Sequence, residues 1–221
     1  MRLRVALSFD VSLGLDELER YLEITEKYLQ KAKTDFETWF DEKTKGLTPK
    51  ERGEFGEFYT DTYGEYTETF PRILRDSFFV SAYSWLEHEM VVICRWLKKD
   101  KQLPISWGDL RGSTLDQFKL YCKLAGLDLT YDDQNWQEIN NYRRIRNCVV
   151  HNRGLIKGSR EEQELYAYAS RKNIIQDSMI GLSIRSQAQI ALTEEFCKEV
   201  TKTIWAFLNE AIEAHDSQKQ K

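Results

Sequence analysis

In the run Trp136-Gln-Glu-Ile-Asn-Asn-Tyr-Arg-Arg-Ile-Arg-Asn-Cys-Val-Val-His151, three kinds of side chain suited to phosphate-ester chemistry fall within six residues. They are the guanidinium of Arg146, the amide of Asn147 and the imidazole of His151. An imidazole can move a proton near neutral pH, and a guanidinium gives paired hydrogen bonds to phosphate oxygens as charge grows on them. Such a set suits metal-independent RNA cleavage, in which a ribose 2′-hydroxyl attacks its own neighbouring phosphate and no cofactor is needed.

The charge around the set fits the same chemistry. Residues 143–160 carry six Arg or Lys and no Asp or Glu, in a chain whose 36 carboxylates outnumber its 32 Lys and Arg. With a net charge of −4 and a pI near 5.6 the whole molecule repels a polyanion, so any nucleic-acid contact must be local. Arg143, Arg144, Arg153 and Lys157 are the candidate RNA-backbone contacts. On a helix, Trp136, Ile139, Tyr142, Ile145 and Val149 form an apolar stripe, while Asn140, Arg143 or Arg144, Asn147 and His151 follow another face. Arg146 lies about 100° around from Asn147. Trp136 and Tyr142 read first as core, and are the two rings considered for base stacking.

Arg146-Asn147-Cys148-Val149-Val150-His151 resembles the signature of HEPN domains, an arginine and a polar residue followed by a histidine on the same helix. The layout is similar over roughly residues 12–152 and 193–213. The resemblance implies a helical bundle that homodimerises with its motif helices apposed. It also implies an endoribonuclease leaving a 2′,3′-cyclic phosphate, of the kind deployed as a toxin or antiviral defence effector, with an antitoxin or defence-system protein as partner. By carry-over, His151 is the acid or base, Arg146 the phosphate clamp and Asn147 the orienting residue. Ser81-Ala-Tyr-Ser-Trp-Leu-Glu-His-Glu89 resembles the second-helix segment of prokaryotic groups of this family, which makes Glu87 a supporting residue.

Elements able to position these residues follow from periodicity. Apolar residues at three- and four-residue steps predict long helices over 16–45 and 71–99, the second opening on Pro71 and central because its apolar face is broad. A weaker helix over 50–63 is eroded by Gly53, Gly56 and Gly64. Ser113 or Thr114 caps a further helix that Gly126 ends, the motif helix runs from near Asp133 to His151 or Asn152, and Thr193 caps the last helix, with 216–221 a frayed tail and His215 placed with it, outside the candidate site. Strict alternation from Leu3 to Val11 predicts a strand, with its partner in a hairpin formed by 179–184 and 188–192. Residues 153–192 read as an irregular insertion around a short helix over 161–171. The expected architecture is therefore an all-α bundle of about five main helices in one domain, with a small β accessory.

Cys94, Cys122, Cys148 and Cys197 stand singly, which favours reduced thiols packed in a cytoplasmic protein over a zinc site or a disulfide framework. No eighteen apolar residues run together, so no membrane span is expected. The competing reading of the motif is a HEPN-like module that binds RNA or protein and dimerises without cutting. A helical adaptor with no nucleic-acid role is the third.

Overall fold

A computed structural model describes residues 2–127, 129, 134–156, 160–179 and 186–219. The architecture is all-α with one small hairpin: α1 (Arg2–Thr44), α2 (Pro49–Gly64), α3 (Phe70–Lys101), α4 (Thr114–Leu124), α5 (Gln134–Asn152), α6 (Arg160–Arg171), β1 (Ile175–Met179), β2 (Ser186–Ile190) and α7 (Glu194–Lys219).

The strand expected over residues 3–11 is instead the first turns of α1. Leu, Ala and Arg are good helix formers, and no glycine or proline interrupts residues 2–13. The stripe that decides the matter is helical: Val11, Leu15 and Leu22 are buried, with Leu18 packed beside them. Gly14 faces Trp85 across the α1–α3 contact, where a Cβ would lie 2.2 Å from the indole ring; only a missing side chain permits that approach. The hairpin does form, but its first strand starts four residues earlier than expected, pairing Ile175 with Ile190. Its partner outside the hairpin is not the N-terminus. Leu155 bridges Gln189, and Ile156 N–H donates to Ala188 at 2.9 Å.

Pro71 does not begin a separate helix. α2 continues through a π-helical turn, Glu65–Thr69, into α3, and Phe70 N–H donates to the Glu65 carbonyl five residues back. A proline inside a continuous helix has no N–H to donate and crowds the carbonyl four residues before it, and a widened turn accommodates both. Downstream, caps set the boundaries. Ser113 and Asp116 close a capping box on α4, which takes the place expected for Thr114 and Gln117. Gly126 at φ +75° ends the helix as Leu127 N–H reaches Cys122 O at 2.9 Å. Thr193 Oγ1 accepts from Phe196 N–H at 3.1 Å to start α7.

α3 is central, packing against α1, α4, α5 and α7. Phe79 on α3 stands edge-on to Tyr142 of α5 at 6.0 Å and stacks on Phe196 of α7 at 6.2 Å, so the motif helix is seated on the middle of the core. Residues 153–192 are not an appendage. Ile156, Leu165, Tyr168, Ala169, Ile174 and Ile190 belong to the same buried cluster as the bundle. Tyr168 Oη donates to Glu138, tying α6 to α5. His215 is likewise in the interior and not in a frayed tail, with its Nε2 3.0 Å from Asp100 Oδ2 and its ring edge-on to Trp96 at 4.3 Å.

One part departs from the bundle. Beyond Leu22 the only buried residue of α1 is Thr44, and α2 buries none of its side chains. The two helices run back along each other as an arm, held by an aromatic seam in which Trp39 meets Tyr59 at 4.9 Å and Phe40 meets Phe55 at 5.6 Å. Phe55, Tyr59, Tyr63 and Tyr66 all meet α1 rings in this seam, while Phe58 stays exposed.

Candidate functional site

α5 ends where its chemistry begins. Its apolar stripe, Trp136, Ile139, Tyr142, Ile145 and Cys148, is buried, which turns Asn147, Val150 and His151 outward. Arg146 sits at the margin between those faces, half-buried. Its Nη1 donates to Asn147 Oδ1 at 3.2 Å, while its Nε is buried with no acceptor. The guanidinium keeps donors for an incoming anion. His151 occupies the last turn, and the chain then reverses sharply through Arg153 at φ +54° and Gly154 at φ +78°. Gly154 N–H closes the helix on Cys148 O at 3.0 Å, and its carbonyl accepts from Ile190 N–H at 2.8 Å. The hairpin therefore braces the turn that carries His151.

Asn147 and His151 are one turn apart and both exposed, Arg146 flanks Asn147, and Arg153 is exposed in the turn that follows. Arg143 is half-buried and donates to Ser113 Oγ at 3.3 Å. Arg144 faces elsewhere, with its Nη2 2.8 Å from Glu164 Oε2 on α6 and its Nη1 3.3 Å from Asn141 Oδ1, so its charge is already partnered within the fold. Lys157 lies outside the described residues. Trp136 and Tyr142 are not available for stacking on bases. Trp136 meets Phe207 edge-on at 4.7 Å, and Tyr142 is fully buried with its hydroxyl 3.2 Å from Thr203 Oγ1.

Glu87 comes to this neighbourhood through Tyr83, one helical turn before it on α3. Burial pushes the Tyr83 phenol far above its ordinary ionisation range. Glu87 adds to that rise, while Arg143 and Arg146 oppose it. A neutral phenol thus stands among one carboxylate and two guanidinium groups behind the motif face. Tyr83, four residues before Glu87 within Ser81–Glu89, was not singled out by the sequence, and Ser113 gave no signal beyond its capping role.

Four grooves on the molecule are lined elsewhere, none by Arg146, Asn147 or His151. Among the described residues no three His, Cys, Asp or Glu side chains are grouped to hold a metal ion, and no helix is long and apolar enough to cross a membrane. All four cysteines are buried. No family model, curated protein or solved structure matches the chain.

Proposed function

We propose that this protein is a metal-independent endoribonuclease acting at the C-terminal end of α5. The observation that supports this reading is that Arg146 donates to Asn147, and that Asn147 and His151, one turn apart, are both exposed on a helix whose other face is buried in the core. A proton leaves the ribose 2′-hydroxyl to His151, the 2′-oxygen bonds to phosphorus, and the 5′-oxygen departs with a proton. The products are a 2′,3′-cyclic phosphate and a 5′-hydroxyl. Arg146 neutralises the charge that grows on the phosphate oxygens, and Asn147 sets the direction of the guanidinium.

Such a face is open, and catalysis at charged groups gains from excluding water. A homodimer through α5 supplies the second wall: Val150, 45% exposed beside Arg146 and Asn147, offers an apolar contact for that association. The partner subunit's motif would then stand across the cleft, so that one imidazole serves as base and the other as acid. A toxin or antiviral role, restrained by a neighbouring protein in the cytoplasm, rests on the resemblance of the motif.

The test is incubation of purified protein with total RNA in EDTA, followed by detection of cyclic-phosphate ends. Ends that appear with the native chain and vanish with His151→Ala support cleavage; equal cutting by both rejects this site. The openness of the face also favours a second reading, a module that holds RNA without cutting it. In that case neither protein cuts, and both bind RNA with an affinity that falls steeply with salt.

A further inference from the structure

The arm is acidic as well as aromatic. Residues 35–69 carry ten Asp or Glu against four Lys or Arg, while the rest of the chain carries 28 Lys or Arg against 26 carboxylates. Between α1 and α2 lies a groove of about 460 Å³, walled by Phe36, Phe40, Tyr59 and Tyr63 and edged by Glu37 and Asp41. Gly56 lies along it, and its missing side chain leaves the space beside Phe40 open; a Cβ there would reach the ring at 3.6 Å.

The seam already holds one cation of its own. The Arg52 guanidinium lies 5.8 Å from the centre of the Phe40 ring, with its Nη2 2.6 Å from Asp41 Oδ1. Glu37 stands one turn away beside Phe36 and Tyr63, with Tyr63 Oη 3.3 Å from its Oε1 and Lys33 Nζ a looser 3.7 Å from the same oxygen. Ring faces and a carboxylate edge together select a flat, weakly hydrated cation. A groove of this size admits a long side chain but not a folded surface.

We propose that this groove is a docking site for an arginine side chain presented by an extended basic segment of a partner protein. The guanidinium lies in the groove against the Phe36 ring and donates to Glu37, in the manner of Arg52 on Phe40 and Asp41. Carboxylates along α2, such as Glu57 and Asp61, meet the flanking basic residues of the segment. The site does not depend on the ribonuclease reading.

The probe is a fluorescein-labelled Gly-Arg-Gly-Arg-Gly-Arg peptide, with a citrulline copy as the uncharged control, titrated by anisotropy against the full chain. Saturable binding is expected for the arginine peptide and at least tenfold weaker binding for the citrulline copy. Gly56→Leu, which puts bulk in the groove at a position where leucine favours helix, should weaken the peptide at least tenfold with unchanged circular dichroism. Arg52→Gln should tighten it severalfold, and more than Lys50→Gln, which removes the same charge outside the groove. Equal affinity of the native chain and Gly56→Leu overturns the site. Should Gly56→Leu instead abolish self-association seen by sedimentation while leaving peptide affinity unchanged, the occupant is a second copy of the chain and the proposal fails.

Discussion

The arm and the end of α5 distribute rings and charges in opposite ways. In the arm the aromatic rings lie outside the main core, and the surrounding charge is carboxylate. In α5 the rings are in the core, Trp136 against Phe207 and Tyr142 against Phe79, and the Asn147 amide and His151 imidazole are exposed beside the half-buried Arg146. A helix seated on a packed core can hold a polar side chain in one direction, whereas two helices joined only along their own seam can adapt to what they hold. On the proposed readings, the contrast sets chemistry on α5 against recognition in the arm.

The assignment breaks most visibly if the motif residues prove dispensable. Arg146→Ala and His151→Ala should each lower RNA cleavage about 10²–10⁴-fold with helix content intact by circular dichroism. Loss of folding in either variant would make the residue structural. Phe79→Ala asks whether α5 depends on the core beneath it. A ring with no exposed surface, touching both Tyr142 and Phe196, should cost about 3–5 kcal/mol in urea unfolding.

The junction between the two regions carries Asp76, near the start of α3. Its Oδ1 is buried without a hydrogen-bond partner, and burial raises its pKa to about 6 from 3.8, with Arg72 only partly offsetting the rise. A carboxyl whose folded pKa is raised stabilises the fold below the unfolded value, and that stability is lost as pH climbs through about 4 to 6. Asp76→Asn should therefore raise unfolding stability by about 1–2 kcal/mol at pH 7 and by nothing measurable below pH ~4.

Smaller effects sharpen the boundary. Trp39→Ala should loosen α2 by about 1 kcal/mol, seen as faster amide exchange confined to the arm, and leave cleavage within about twofold. Arg144→Ala should cost about 0.2–1 kcal/mol through its pair with Glu164 and weaken RNA binding less than Arg143→Ala, which removes a side chain on the motif side.

Much of this organisation was legible in the sequence because caps and stops are local. Ser113, Gly126 and Thr193 act where their types predict, and Trp136, Ile139, Tyr142 and Ile145 of the α5 stripe are buried as their spacing implies. What failed depended on partners distant in the chain. Alternation over residues 3–11 could not reveal that no strand waits beside it, and Pro71 could not announce that a π turn carries the helix past it. His215 is drawn inside by Asp100 and Trp96, and the arm exists because rings of residues 36–40 find those of 55–66. Tyr83 behind the motif and Glu164 on Arg144 were likewise contacts made only by folding.

The central claim is that a ribose hydroxyl is the nucleophile and His151 handles its proton. An RNA oligonucleotide spanning a mapped cut, compared in EDTA with its copy bearing a single 2′-deoxy sugar on the 5′ side of that cut, tests it most directly. Cleavage of the first and none of the second at that position, with both intact in His151→Ala, is the predicted result. Cutting of the deoxy copy at the same bond would contradict the account.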